Sequence, residues 1–557
     1  MCSNVELPYE GVSSKGRGFI EMQKLIFALA LFLYASVLAH AAPAGQQTLE
    51  GNWVGSFQFE GHLNPLNARF ERQEGGIKGT LDLPPSQRDL GVTNLTVERS
   101  RIRFELAEAA DRLTFEGQIK DGLLSGVVLR PGKHGTFQLV RTAKVDPGIY
   151  PGYAGIYRLD TNRFIHIQPF MEFDGLLTYI DDRTGRIGAL YPQSETTFFS
   201  GPTALIPAPI DVRIKFIKNK SQVTGLVWYQ GVLPGKKALK INFKTDQVQF
   251  RSGDVTIAGT LITPVTKGPH PAVVALHGSG PLTREGQILL FGFLVPRGIA
   301  LLAYDKRGTG QSHGGDWRDG FDDLAGDAVA AVQLLKTRKE INPKQIGLLG
   351  ISEGGWVAPL AASRSSDVAF AILDVAPALT IEEINALKVK CFLRADKFPE
   401  TQISEAVAFQ KYKDQAFRSG SDWEKYEVAL KEARTKPWYS RFTGGPPARN
   451  EDYLKILRTR MDYHPARTLE SLKIPVLAIY GESDCFVPPN ENRKAMAEAL
   501  RKGANKDYTI VLLPKANHLS IEAETASWKE ALQMKRFVPG YFATIISWIQ
   551  KRVSSTK

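Results

Sequence analysis

Residues 345–358 read QIGLLGISEGGWVA, and this stretch constrains the fold more than any other. A short apolar run, QIGLLG, leads into Gly350-Ile351-Ser352-Glu353-Gly354, and GGWVAPLAAS follows with the small residues of a tightly packed helix. An apolar run of this length, bounded by turn residues, reads as a buried strand. Strand, sharp turn and helix is the setting in which G-x-S-x-G raises a serine hydroxyl above the edge of a sheet. The turn is strained, and glycines two positions either side of Ser352 leave space that larger side chains would fill. Ser352 is the expected nucleophile.

A serine hydroxyl needs a base to take its proton and an acid to orient that base. On such a turn the chain order is Ser, then Asp or Glu, then His. Of the nine histidines only His464 and His518 follow Ser352. His464 lies in MDYHPAR, ahead of the next strand, whereas His518 lies in LLPKANHLSI, just past one, and is the expected base. GESDCFVPP places Asp484 in the loop after the strand PVLAIYGE, with prolines to stiffen the turn, so Asp484 is the expected acid. Asp374, in AILDVAP, is the runner-up; Glu482 sits too near its strand end to reach. The charge of a tetrahedral intermediate calls for backbone donors. The N–H of Glu353 is one, and Ser279 N–H, in the loop His277-Gly278-Ser279-Gly280-Pro281, is the other. His277 is expected to brace that loop. The Glu353 side chain either polarises the site or faces solvent at a helix N-terminus.

Around this centre, strand and helix signals alternate from residue 246 to 557, the pattern of a parallel α/β sheet. Residues 378–472 interrupt it with helix-like, Lys-, Glu- and aromatic-rich sequence. An insertion of that size beyond the carboxyl ends of the strands reads as a helical lid. Phe392, Phe398, Tyr412, Trp438 and Tyr439 would line an acyl pocket beneath it or pack the lid's own core. Residues 42–147 and 148–245 alternate apolar and polar residues between Gly, Pro and Asp turns, which describes two antiparallel β-modules or two halves of one. The opening Gly51-Asn52-Trp53-Val54-Gly55 resembles lipocalin-like modules, and Trp53, Phe173, Phe216 and Trp228 are expected in cores.

The chain has 557 residues, too many for one ordinary domain. Its +12 net charge is scattered, without a basic stripe interleaved with aromatics, so nucleic acid is not an expected partner. In residues 22–42, Lys24 precedes an apolar run from Leu25 to Leu38, and Ala39-His40-Ala41 offers a cleavage site. This reads as a secretory signal over residues 1–41, and Met22 is the expected start because residues 1–21 do not resemble a leader; an uncleaved anchor is the alternative. The run is too short and wrongly flanked to span a bilayer, so a periplasmic or secreted chain without stable membrane insertion is expected. Once Cys2 leaves, Cys391 and Cys485 are left, and their spacing does not decide whether they pair. With no zinc-spaced His/Cys cluster and no G-x-x-x-x-G-K-[ST] loop, no metal or cofactor is expected.

Taken in order over residues 246–550, LHGSGP, YDKRGTGQS, GISEGGWVA, YGESDCFVPP and NHLS resemble the α/β-hydrolase superfamily. The branch is the one holding serine aminopeptidase-like hydrolases and bacterial EstD-like carboxylesterases. The resemblance implies the α/β-hydrolase fold, with Ser352, Asp484 and His518 as a triad. It also makes Tyr304-Asp305-Lys306-Arg307-Gly308 a structural turn; Arg284-Glu285 departs from the Arg-Asp pair frequent in the branch. The expected activity is a serine hydrolase cleaving small-molecule carboxyl esters through an acyl-enzyme. An aminopeptidase or dipeptidase is the alternative on the same residues, with Glu353 or a lid carboxylate as anchor for the substrate amine. A non-catalytic binding protein on a hydrolase fold is the other.

Overall fold

Period-two alternation builds the amino-terminal part of the chain. The computed structural model describes residues 48–84, 87–106, 112–170, 173, 175–421, 423–441, 451–527, 530 and 533–554. The expected signal, residues 1–41, and residues 442–450 of the expected lid lie outside these. The folded chain divides into two compact units. The first holds a barrel of eight antiparallel strands between Gly51 and Thr142, together with Tyr229–Gly235. Strand Gly51–Phe59 closes it by pairing with both His62–Gln73 and Lys133–Thr142. Inward positions carry Trp53, Phe57, Phe70, Phe104, Phe115 and Phe137, and Phe104 stacks on Phe115 with centroids 4.8 Å apart. Where a lipocalin of this strand number holds a small ligand, this barrel is packed with rings.

The second unit begins at Ala143 and contains another closed barrel and an open sheet. In the barrel, Lys236–Ile241 pairs back onto Gly155–Asp160. Its interior holds Tyr153, Tyr157, Tyr179, Phe198, Phe216 and Trp228. The β-rich stretch is therefore two barrels, not the halves of one domain. Trp53, Phe173, Phe216 and Trp228 are all buried, as aromatic residues flanked by alternating sequence should be.

The open sheet has eight strands, in spatial order Lys244–Ser252, Val255–Thr263, Ala300–Tyr304, His270–Leu276, Ile341–Ile351, Phe370–Asp374, Val476–Gly481 and Tyr508–Leu513. The first two are antiparallel to each other and the second is antiparallel to its neighbour; all other pairs are parallel. The strand HPAVVAL shows why the runs are continuously apolar. Ala272, Val274 and Leu276 face a layer containing Phe321–Lys336 and Gly354–Arg364. Val273 and Ala275 face the layer of Arg284–Phe291 and Tyr541–Ser554.

The insertion after Phe370–Asp374 is helical, as its composition suggests. It runs through Ile381–Ala395, Glu400–Ser419, Trp423–Ala433, Glu451–Met461 and Pro465–Ser471. Thr380 and Glu383 start it with a reciprocal capping box. Trp438 lies in one buried cluster with Val389, Leu393, Ile403 and Ala406, with Phe398 and Tyr439 against it. Tyr412 packs on a second, around Phe417, Trp423 and Tyr426. Four of the five aromatics considered as pocket lining are thus packed in the insertion's own cores. Phe392 differs, because its ring meets Phe486 edge-on at 5.1 Å, beside Asp484.

Candidate active site

Ser352 stands where strand Ile341–Ile351 breaks into helix Gly354–Arg364, with φ of +54°. A non-glycine residue held in the left-handed region costs of order 1–3 kcal/mol and persists only where its surroundings impose it. Two glycines impose it here. A Cβ on Gly350 would lie 2.0 Å from the Gly354 carbonyl, and one on Gly354 would lie 2.9 Å from the carbonyls of Leu276 and His277. The Ser352 N–H donates to the Asp374 carbonyl at 2.9 Å, fixing the turn to the next strand.

The tertiary fold brings Ser352, His518 and Asp484 together across the carboxyl ends of three strands. Ser352 Oγ is 2.9 Å from His518 Nε2, and His518 Nδ1 is 2.8 Å from Asp484 Oδ2. Asp484 is fully buried, and its other oxygen, Oδ1, accepts from the N–H groups of Phe486 (2.8 Å) and Val487 (2.9 Å). The carboxylate is therefore aimed by its own loop. With Nδ1–H given to Asp484, the lone pair of Nε2 faces the serine hydroxyl. Phe486 lies against the imidazole at 4.9 Å.

Other candidates fall elsewhere. His464 is exposed ahead of Pro465–Ser471, and Glu482 is exposed and accepts from Lys515 N–H. Asp374 is buried at 1% exposure, takes a 2.7 Å hydrogen bond from Tyr541 Oη, and is pushed up to about 6 by burial. His277 is buried edge-on against Tyr304 at 5.2 Å. Burial pushes its pKa down to about 3, so it is neutral at working pH and serves as packing in the loop. Arg284 forks onto Asp305 at 3.0 and 2.8 Å, tying the helix after that loop to the Tyr304–Gly308 turn.

Gly278 runs close over Ser352, since a Cβ there would be 3.5 Å from Ser352 Cβ. Ser279 is exposed on this loop, and Glu353 N–H belongs to the first helical turn, whose donors have no intrahelical partner. The Glu353 side chain does not face solvent. It is 5% exposed, because Lys306, Arg460 and Ser279 surround its carboxylate. Sequence reading missed Lys306 and Arg460: neither sits in a motif that names its partner, although a lysine between Asp305 and Arg307 in a buried turn was a signal.

The second barrel reaches the His518 loop through main-chain bonds. Ile187 N–H donates to Lys535 O at 3.2 Å and Phe537 N–H to Gly185 O at 2.8 Å. The same segment holds the loop, with Val538 N–H on Ser520 O and Glu522 N–H on Arg536 O, both at 2.9 Å. Across the site, Cys391 of helix Ile381–Ala395 forms a disulfide with Cys485, next to Asp484.

Residues 267–525 match the serine aminopeptidase, S33 family. Esterase EstD of Thermotoga maritima is 27% identical over 321 residues, covering 56% of this chain and 69% of that protein. The bifunctional esterase/perhydrolase DCH of Acinetobacter calcoaceticus is 26% identical over 257 residues, 43% of this chain and 85% of that one. A Pyrococcus furiosus esterase structure aligns at 20% identity and a TM-score of 0.36 over 56% of this chain and 91% of its own. Strand order, family match and relatives agree: the sheet domain has the α/β-hydrolase fold and is similar to esterase-like hydrolases of that family.

Proposed function

We propose that the protein is a serine carboxylesterase in which Ser352, His518 and Asp484 act as the triad. The unbroken hydrogen-bond path from Asp484 through His518 to Ser352 Oγ carries this reading. Ser352 Oγ attacks the ester carbonyl as His518 Nε2 takes its proton, and the carbonyl electron pair moves onto oxygen. That oxyanion is received by the N–H groups of Glu353 and Ser279. Collapse expels the alcohol oxygen, which takes the proton from His518, and leaves an acyl-enzyme on Ser352. Water, deprotonated by His518, attacks the acyl carbon and releases the acid and the free serine.

An aminopeptidase would need a carboxylate open to the substrate's amine. Glu353, a candidate for that role, is already held by Lys306 and Arg460, which favours the ester reading. We propose separately that the chain is exported, periplasmic or secreted; the apolar run Leu25 to Leu38 and the Cys391–Cys485 bond, a type of bond favoured in oxidising compartments, support this.

The test is a chromogenic acyl ester beside an aminoacyl amide, with a fluorophosphonate probe on wild type and Ser352→Ala. Ester turnover and labelling should both be lost in Ser352→Ala while its melting temperature stays put. Retained turnover in the pure variant, or amide cleavage outrunning ester cleavage, refutes the assignment.

A further inference from the structure

Glu353 ties together four separated parts of the chain. Its own backbone follows the nucleophile. Its Oε1 accepts from Lys306 Nζ at 2.5 Å, in the turn after Ala300–Tyr304. Its Oε2 accepts from Ser279 Oγ at 3.2 Å, in the loop after His270–Leu276, and from Arg460 Nη1 at 2.8 Å, in helix Glu451–Met461 of the insertion. Lys306 Nζ also donates to Gly278 O at 3.2 Å. The loop over Ser352 is therefore held at two successive residues by groups that meet on one carboxylate.

Arg460 is fixed from behind. Its Nε donates to Asp319 O at 3.0 Å and its Nη2 to Trp317 O at 3.1 Å, and the guanidinium lies 5.1 Å from the Phe321 ring. The side chains of Lys306, Glu353 and Arg460 are only 4%, 4% and 11% exposed. Two buried cations thus meet on one carboxylate, at the residue that follows Ser352. Desolvating a cluster of three charges is a cost to folding that well-packed apolar residues would avoid. A charge placed before the reaction and kept out of water is what stabilises a negative oxygen in a transition state.

Resting on the triad reading above, we propose that Arg460 is a positioning residue for ester cleavage. Seated on Glu353, it holds the Gly278–Ser279 loop in register for its amide to meet the oxyanion, so that the insertion completes the oxyanion site. Arg460 touches Glu353 and not the substrate. Losing it lets the carboxylate turn toward Lys306 and frees Ser279.

The test compares wild type, Arg460→Met and Arg460→Lys on a matched pair of substrates, an ester and its thionoester. Sulfur is a weak hydrogen-bond acceptor, so the oxo/thiono ratio of kcat/KM reports on the oxyanion donors. A lost donor typically costs about 100- to 1,000-fold. A donor loosened at one remove should cost about tenfold or more in that ratio, through kcat with KM little changed. Arg460→Lys keeps the charge without the fork to Asp319 and Trp317, so its ratio should lie between the others and shows the effect even if Arg460→Met folds poorly. Equal losses on both esters, or a change confined to KM, would mean that Arg460 only anchors the insertion, and the proposal falls. If wild type neither hydrolyses the ester nor takes up a fluorophosphonate, the triad reading fails first and this one with it.

Discussion

Replacing Asp484 by asparagine separates charge from shape at the deepest point of the site. Oδ1 of the carboxylate accepts two backbone N–H bonds, from Phe486 and Val487, while Oδ2 takes His518 Nδ1–H. An amide has one oxygen. Turning its NH2 toward the two backbone donors would leave both unsatisfied, at about 1–3 kcal/mol each. The oxygen therefore stays on the loop side and the NH2 points at the imidazole. His518 can then meet it only by accepting at Nδ1, which puts the ring proton on Nε2, facing Ser352 Oγ at 2.9 Å. In that tautomer the base cannot take the serine proton. A forced wrong tautomer costs about 10⁴ in kcat in enzymes built this way, or about 5.5 kcal/mol of barrier. The loop keeps its two bonds, so the melting temperature should hardly move. The assay is steady-state hydrolysis of a p-nitrophenyl ester by Asp484→Asn and, in parallel, by Asp374→Asn. A loss below about tenfold for Asp484→Asn, or a larger loss for Asp374→Asn, refutes the reasoning and moves the acid to Asp374.

Asp374 itself should shape stability against pH. An unfolded Asp titrates near 3.8 and the buried one near 6, so between these values the folded chain keeps a proton that the unfolded chain has lost. Stability should therefore fall as pH rises through this window, by about 3 kcal/mol in all, and Asp374→Asn should flatten the profile in denaturant titrations over about pH 4 to 7; an unchanged slope refutes it. Reducing Cys391–Cys485, whose partners are 94 residues apart, should remove about 4–5 kcal/mol of chain-entropy stabilisation. It should also lower ester turnover, because the bond holds the insertion to the residue after Asp484. Equal melting temperature and kcat in a sample with titrated free thiols contradicts that. Phe392→Ala should alter the relative kcat/KM of short and long acyl esters through its contact with Phe486. Trp438→Ala, in the insertion's own core, should cost about 3–5 kcal/mol of stability with that profile unchanged; a profile moved by Trp438 and not by Phe392 reverses their roles.

Much of the site was legible before any tertiary structure. The turn at Ser352 is local: its strain, its glycines and its flanking strand and helix lie within the single stretch 345–358, so spacing alone announces them. Asp484 and His518 could be chosen because each follows an apolar strand run, and strands of a parallel sheet deliver their next loops to the same edge. The alternation that marked the β-rich stretch follows equally from neighbouring residues pointing to opposite faces.

What sequence left open depends on contacts between residues far apart in the chain. Glu353 could face solvent or the site until Lys306 and Arg460, 47 and 107 residues away, were placed around it. The pairing of Cys391 with Cys485 required the insertion to fold back onto the Asp484 loop. Two barrels rather than one domain followed from which terminal strands closed on each other, Lys133–Thr142 on Gly51–Phe59 and Lys236–Ile241 on Gly155–Asp160. The insertion's aromatics read the same whether they line a pocket or pack a core, because hydrophobicity says that a ring is buried and not against what. Periodicity and turn chemistry act over a few residues and are written in order along the chain. A buried charge, a cross-link or a closed barrel is selected by partners that only the folded chain brings within reach.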